Sequence, residues 1–375
     1  MSNTTYKLKK INFQKLICFT FFSSYYFFPF RTWLPIALTC LFAYSPNFKR
    51  NKLNQVDKIA VLLFVIFCAT FVIGYDNLIF FMPTKYYLPV VLLQSGIVFF
   101  FSLQMCAGKD KPFLALQGIC VGILSHVVLC ILFTAMIANK LFLYGDLQNP
   151  FFDGFLRSSL LSNYIIIIFC IVLCLFKKSF KKYFEFLVIF LCGIGLGART
   201  FLLICLPATV SKVIFFGRKK IFMPLLIFLS FLVGILFAIN NYHPEFFDFY
   251  IKKGIDSERW ELLKYANNNW YRFVFGGMQV PYNLSSEVGS FHNLFVDSYR
   301  LGGVITFLPL VITFLFLLFY TWNQKALFFC IIGITAVMLQ DSIFEGGHKQ
   351  FITFLCIIIL GQKNRLYSKI PQIHS

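Results

Sequence analysis

The sequence predicts an all-α polytopic membrane protein, and three observations carry that reading. Hydrophobic residues fill 59% of the 375 positions and charged residues only 13%, with a mean hydropathy of +0.76, a balance outside the range of ordinary soluble domains. Apolar runs of about 17 to 25 residues recur from Ile11 to Leu360, each long enough to cross ~30 Å of hydrocarbon as a helix. Basic residues alternate in phase with those runs. Backbone groups in lipid need partners within their own segment, so repeated long runs mean a helical bundle; barrel strands would be short and alternating.

About twelve crossings are expected, at 13–30, 32–47, 59–80, 86–106, 113–138, 159–176, 183–197, 200–216, 221–240, 303–322, 326–340 and 350–362. Lys7, Lys9, Lys10 and Lys15 precede the first run and no small-residue cleavage motif follows it, so that run is expected to remain as an anchor. With the N-terminus inside, 22 of the 34 basic residues fall on short inward turns, including Lys49–Lys58, Lys177–Lys182 and Lys212–Lys220. This is the asymmetry of the positive-inside rule, and it places both termini inside. Segments 139–158 and 241–302 are then the two long external loops of one integral membrane domain spanning 1–375. The formal charge of +19 thus reads as topology. Nucleic-acid binding would require a contiguous basic surface on a folded soluble domain, which no segment here is large enough to supply. The cysteines, among them Cys18, Cys68, Cys130, Cys170, Cys174 and Cys330, lie in apolar runs and none falls in 241–302, so no disulfide framework or metal site is expected from them.

The loop at 241–302 is polar but not of low complexity. Asp256 or Ser257 can cap a helix that carries Glu258, Arg259, Trp260, Leu262, Leu263 and Tyr265, with Asn267, Asn268 and Asn269 ending it. Trp270, Tyr271 and Phe273 suit a membrane interface; Phe275, Gly276 and Gly277 make a turn, and Pro281–Gly289 reads as irregular. A second helix is expected to start near Phe291 and run into the next crossing, with Asn293, Asp297 and Arg300 on one stripe. Too short for an independent core, the loop is expected to fold against the bundle. The shorter segment 139–158, with Asp146, Asn149, Pro150, Asp153, Gly154 and Arg157, reads either as a partly structured cap or as a plain connector.

Several side chains suit chemistry on an anionic substrate. Arg199 follows Gly193, Gly195, Gly197 and Ala198 where two short crossings meet outside; its five donors match a phosphate or diphosphate, the alternative being an arginine that snorkels to the interface. Arg259, Arg272 and Arg300 are further candidates for a cationic clamp on a leaving group. For Arg300 a structural alternative stands beside that role, an ion pair with Asp297. His292 can take a proton from a hydroxyl near neutral pH, with Asn293 orienting the ring or binding a sugar hydroxyl; its alternative is a solvent-facing loop histidine. Asp341, Glu345, His348 and Lys349 cluster at the outer end, but without a helical ligand pair they read as a water-facing loop rather than a metal site. No GxxxxGK[ST] loop or dinucleotide fingerprint occurs, so no cofactor is expected and an activated donor would drive any reaction.

Three of these features, in order and on one side of the membrane, resemble the O-antigen polymerase and O-antigen ligase superfamily of bacterial inner-membrane proteins. They are Gly197-Ala198-Arg199-Thr200 opening a crossing, Asp256-Ser257-Glu258-Arg259-Trp260 early in the loop, and Gly289-Ser290-Phe291-His292-Asn293-Leu294-Phe295 ahead of Gly302-Gly303. The likeness covers roughly 184–319; the N-terminal half matches in general topology alone. It implies about a dozen crossings with a large periplasmic loop holding short helices, in the cell inner membrane. It also implies a metal-independent, inverting glycosyltransferase acting on undecaprenyl-diphosphate-linked oligosaccharide. His292 would deprotonate the acceptor hydroxyl while Arg199 and Arg259 hold the diphosphate, and a flippase and a chain-length regulator of the same pathway would be partners. The single His-Asn favours a polymerase over a ligase, which often carries a richer His and Asn pattern. A transporter or flippase remains a third reading. It would place ionisable groups at midplane, whereas the crossings here carry chiefly His126, Gln94 and Gln104 as polar residues.

Overall fold

A computed structural model describes residues 2–47, 53–74, 87–104, 111–138, 146–151, 155–175, 188–189, 191–193, 196, 258–279, 291, 293–339 and 348–368. The described chain is almost wholly helical: α1 Ser2–Phe27, α2 Phe30–Tyr44, α3 Gln55–Ile73, α4 Tyr87–Gln104, α5 Lys111–Ala138, α6 Ser158–Leu175, α7 Glu258–Asn269, α8 Leu294–Thr321, α9 Lys325–Met338 and α10 His348–Ser368. Three of these, Gln55–Ile73, Lys111–Ile137 and Leu294–Thr321, are long and apolar enough to cross a membrane. An α-helical membrane protein is therefore what the described residues form. The predicted crossings at 200–216 and 221–240, and most of 183–197, lie outside them. The only strands among the described residues are a short antiparallel pair in the smaller loop, β1 Asp146–Gln148 with β2 Phe155–Arg157. That segment is a folded cap, and Gln148 N–H donates to Thr134 Oγ1 of α5 at 2.9 Å.

Small residues bring the first helices together. Gly118 and Gly122, one turn apart on α5, face the backbone of α1 so closely that a Cβ at either position would lie 2.6 Å from the Phe19 carbonyl oxygen or 2.3 Å from that of Ser23. Such spacing lets helices in lipid gain dispersion contact where the hydrophobic effect offers little. Because the register advances together on both helices, they run in the same direction, as the first and fifth crossings should.

Cations gather at the opposite end from the loops. Lys111 Nζ donates to Tyr44 Oη at 3.4 Å, and Lys363 Nζ donates to the carbonyls of Ser102 and Leu103 at 3.1 and 2.7 Å. Asn54 and Asp57 cap α3 reciprocally, the side chain of each accepting from the other's amide. Phe67 of α3 stacks on Phe351, in the first turn of α10, with centroids 5.1 Å apart.

The helix expected to run from near Phe291 into the next crossing is present as Leu294–Thr321, but it is sharply kinked. Asn293 caps α8, accepting from Phe295 and Val296 amides at 3.0 and 3.2 Å, and Gly303 then leaves helical geometry at φ 62, ψ −150. Phe295 lies with its ring centroid 5.4 Å from that of Phe314; along a straight helix those residues would be ~28 Å apart. The short arm 294–302 therefore folds back along the long arm 304–321, which alone provides the crossing, ~27 Å of helix.

The glycine contact between α1 and α5 is testable. Gly122→Val should lower the thermal midpoint of the full chain in detergent, with a cost of about 1–3 kcal/mol typical of overpacking, while Gly96→Ala, where a Cβ meets nothing within 4 Å, should leave it unchanged.

Candidate functional site

The break at Gly303 frees two backbone groups that a continuous helix would have paired with each other, the carbonyl of Arg300 and the amide of Val304. The loop takes both. Gly277 and Met278 N–H donate to the Arg300 carbonyl at 2.7 and 3.2 Å, and Val304 N–H donates to the Val274 carbonyl at 2.8 Å. Thr306 Oγ1 adds a bond to the Ser298 carbonyl at 2.7 Å. Each of these groups would cost about 1–3 kcal/mol if left buried and unpaired.

Such proximity of two backbones requires glycine. Gly276 and Gly303 have φ of 91 and 62, and a Cβ would fall 2.4 Å from the Leu301 carbonyl oxygen at the first and 2.1 Å from that of Val274 at the second.

Around this junction a small apolar core forms from Leu262 and Ala266 of α7, Met278, Phe291 and Tyr299, with Tyr265, Phe273, Val296, Val304 and Phe307 packed against it. Tyr265 stacks on Phe291 at 6.4 Å, and Tyr299 Oη donates to the Trp270 carbonyl at 2.6 Å. The loop helix is thus held to the arm that follows His292.

Within the arm, Asp297 and Arg300 are 0% and 2% exposed, with Nε 3.4 Å from Oδ1. The pairing weighed from their spacing is what the structure contains. Asp297 does more than neutralise the guanidinium, since Oδ1 accepts from the Phe291 amide at 2.9 Å and Oδ2 from the Asn293 amide at 3.1 Å. These amides stand on either side of His292. A carboxylate with this many partners offsets the several kcal/mol its burial costs.

The remaining candidates are dispersed. Asn293, beyond its cap, donates Nδ2–H to the Leu339 carbonyl at 3.2 Å, which fixes the arm to the end of α9. Arg272 is exposed, its Nε 3.2 Å from Tyr271 Oη and its guanidinium carbon 5.5 Å from that ring's centre. Arg259 lies in the first turn of α7. His292 and Arg199 lie outside the described residues. Among the described residues no group of three or more His, Cys, Asp or Glu side chains could hold a metal ion.

Two features escaped the sequence reading. Asp297 was legible as a partner of Arg300 but not as a clamp on the amides around His292, because amide geometry leaves no mark in residue types. His348 and Lys349 do not sit in a water-facing loop; they open α10, and His348 is only 9% exposed. The apolar run that follows them was the available signal, since a helix can extend one turn beyond its hydrophobic stretch.

No protein-family model matches the chain, and no curated protein matches it.

Removing the clamp has a defined cost. Asp297→Ala takes the carboxylate away from a buried guanidinium and two amides and should destabilise the folded chain by about 3–5 kcal/mol, read from thermal unfolding in detergent; Asp297→Asn, which keeps one acceptor, should cost less. Gly303→Ala should detach the loop, seen as faster hydrogen exchange at the Gly277, Met278 and Val304 amides, with the amides of α3 unaffected.

Proposed function

We propose that the protein is a polymerase of an O-antigen or related surface polysaccharide, joining undecaprenyl-diphosphate-linked repeat units on the periplasmic face of the bacterial inner membrane. The single observation that supports this reading best is the small core around Phe291, in which the helix that carries Arg259 packs against the immediate neighbour of His292. Leu262 and Phe291, far apart in sequence, thereby belong to one packed unit, which supports drawing a base and a leaving-group clamp from these two segments.

In this mechanism the acceptor hydroxyl oxygen attacks the anomeric carbon of the donor glycan. The hydroxyl proton passes to His292, the new glycosidic C–O bond forms, and the bond from the anomeric carbon to the diphosphate oxygen breaks with its electron pair. Undecaprenyl diphosphate leaves, its growing negative charge met by Arg199 and Arg259, and the configuration at carbon inverts. The Asp297 bonds to the flanking amides support the assignment of the base, because a general base works only when its segment holds its place.

Polymerisation in vitro with a defined lipid-linked repeat tests the reading. His292→Ala should lower turnover about 10²- to 10⁴-fold, and undiminished polymer from a normally folded variant would refute it. Arg199→Lys should also lose most activity if the contact to phosphate is bidentate, and wild-type rates there would favour the interfacial alternative. In cells, loss of the protein should leave a single repeat on the lipid core; accumulation of full-length lipid-linked polymer would point to a ligase instead.

A further inference from the structure

A second constellation lies where α1 ends. Tyr25 is 0% exposed, and among the described residues its hydroxyl meets no hydrogen-bond partner. Trp33 of α2 packs edge-on against it with centroids 5.3 Å apart; it is equally buried, and its Nε1–H has no partner among them either. Lys349, in the first turn of α10, holds Nζ 5.2 Å from the centre of the Tyr25 ring. The adjacent Tyr26 is hydrogen-bonded to Thr353, one turn further along α10, so α1 and α10 are fixed against each other at this level. On α5, His126 stacks on Phe151 at 5.8 Å, lies within electrostatic reach of Lys349, and keeps a buried Nδ1 without a partner among the described residues.

Among the described residues no carboxylate lies against Lys349, and burial alone acts on its ammonium, drawing it down from the usual lysine range to about 8. Burial and the neighbouring ammonium hold His348 at about 3. Near neutral pH Lys349 therefore keeps its charge in most copies while His348 has none. Two buried donor groups without acceptors among the described residues are each costly, and the half-buried ammonium beside them adds positive charge. Among the described residues that surplus is all of one kind, and an acceptor-rich anion would complement it. Phe27, Phe28 and Phe30, half-buried at the same end of α1 and α2, supply apolar wall for an alkyl chain.

We propose that Lys349 and the Tyr25 hydroxyl form a binding site for a phosphate group carried by a membrane lipid. Lysine serves such a group as a point charge and the hydroxyl as a directed donor. The proposal stands whether or not the protein transfers sugars.

Binding to the full chain in detergent, measured by calorimetry with decyl phosphate as probe and inorganic phosphate and decyl glucoside alongside, decides the matter. Decyl phosphate should bind one equivalent that decyl glucoside does not displace. Lys349→Met should weaken that binding at least about 10-fold, Tyr25→Phe about 3- to 10-fold, and Lys264→Met, an exposed control on α7, not at all. Should Lys349→Met fail to fold, Tyr25→Phe carries the test, since it keeps the ring and removes only the hydroxyl. Inorganic phosphate binding as tightly as decyl phosphate, with the same loss in both variants, would confirm the phosphate site but overturn its lipid source. Wild-type affinity in Tyr25→Phe and in a folded Lys349→Met, or no binding of either phosphate probe to the wild type, would overturn the site.

Discussion

The structure around the loop depends on one exchange of backbone hydrogen bonds. A helix that bends sharply inside an apolar bundle must find new partners for the groups at its bend, because no water is at hand to take them. Here the Arg300 carbonyl and Val304 amide, natural partners of each other, are both taken by residues 274–278. The exchange makes the loop a component of the crossing itself. It sets the angle of the 294–302 arm, brings Phe295 onto Phe314 and, through Phe314 stacked on Phe354 at 5.4 Å, connects the arm to α10.

Buried charge is handled in two ways. At the basic end Lys363 spends its protons on two helix-terminal carbonyls, using the partial negative charge that helix C-termini offer. At the junction Asp297 is surrounded by a guanidinium and two amides, so each carboxylate oxygen has a directed partner. In both places the charged group orders backbone, and the ordering is more specific than the attraction. An ion pair alone would tolerate sliding, whereas two amides flanking one residue do not.

Much of the helical plan was legible because length and hydropathy report directly on what a bilayer requires. Predicted crossings at 59–80, 86–106 and 113–138 correspond to α3, α4 and α5 within a few residues at most ends. The small core of the loop was legible in part: the Leu262 and Tyr265 spacing announced a helix, and the Asn293, Asp297 and Arg300 spacing a stripe. The bend was not, since Gly302-Gly303 reads equally well as a small-residue helix contact, and only the carbonyl of Val274, thirty positions away, distinguishes the two. The constellation at Tyr25, Trp33 and Lys349 was invisible for the same reason; its members come from three helices, and no local pattern joins them.

The matched register of α1 and α5 has a consequence for the membrane. Gly118 sits beside Phe19 and Gly122 beside Ser23, so the end of α1 at Phe27 lies level with about His126, while α5 continues to Ala138, a further ~18 Å. α2 is only ~22 Å long, short of the ~30 Å of an average hydrocarbon core, and Arg31 is exposed near its start. A bilayer meeting that flank has to thin or the helix has to sink, whereas at α5 it does not. The protein thus presents two hydrophobic heights to the lipid around it, and the strain of matching both collects at the lower one.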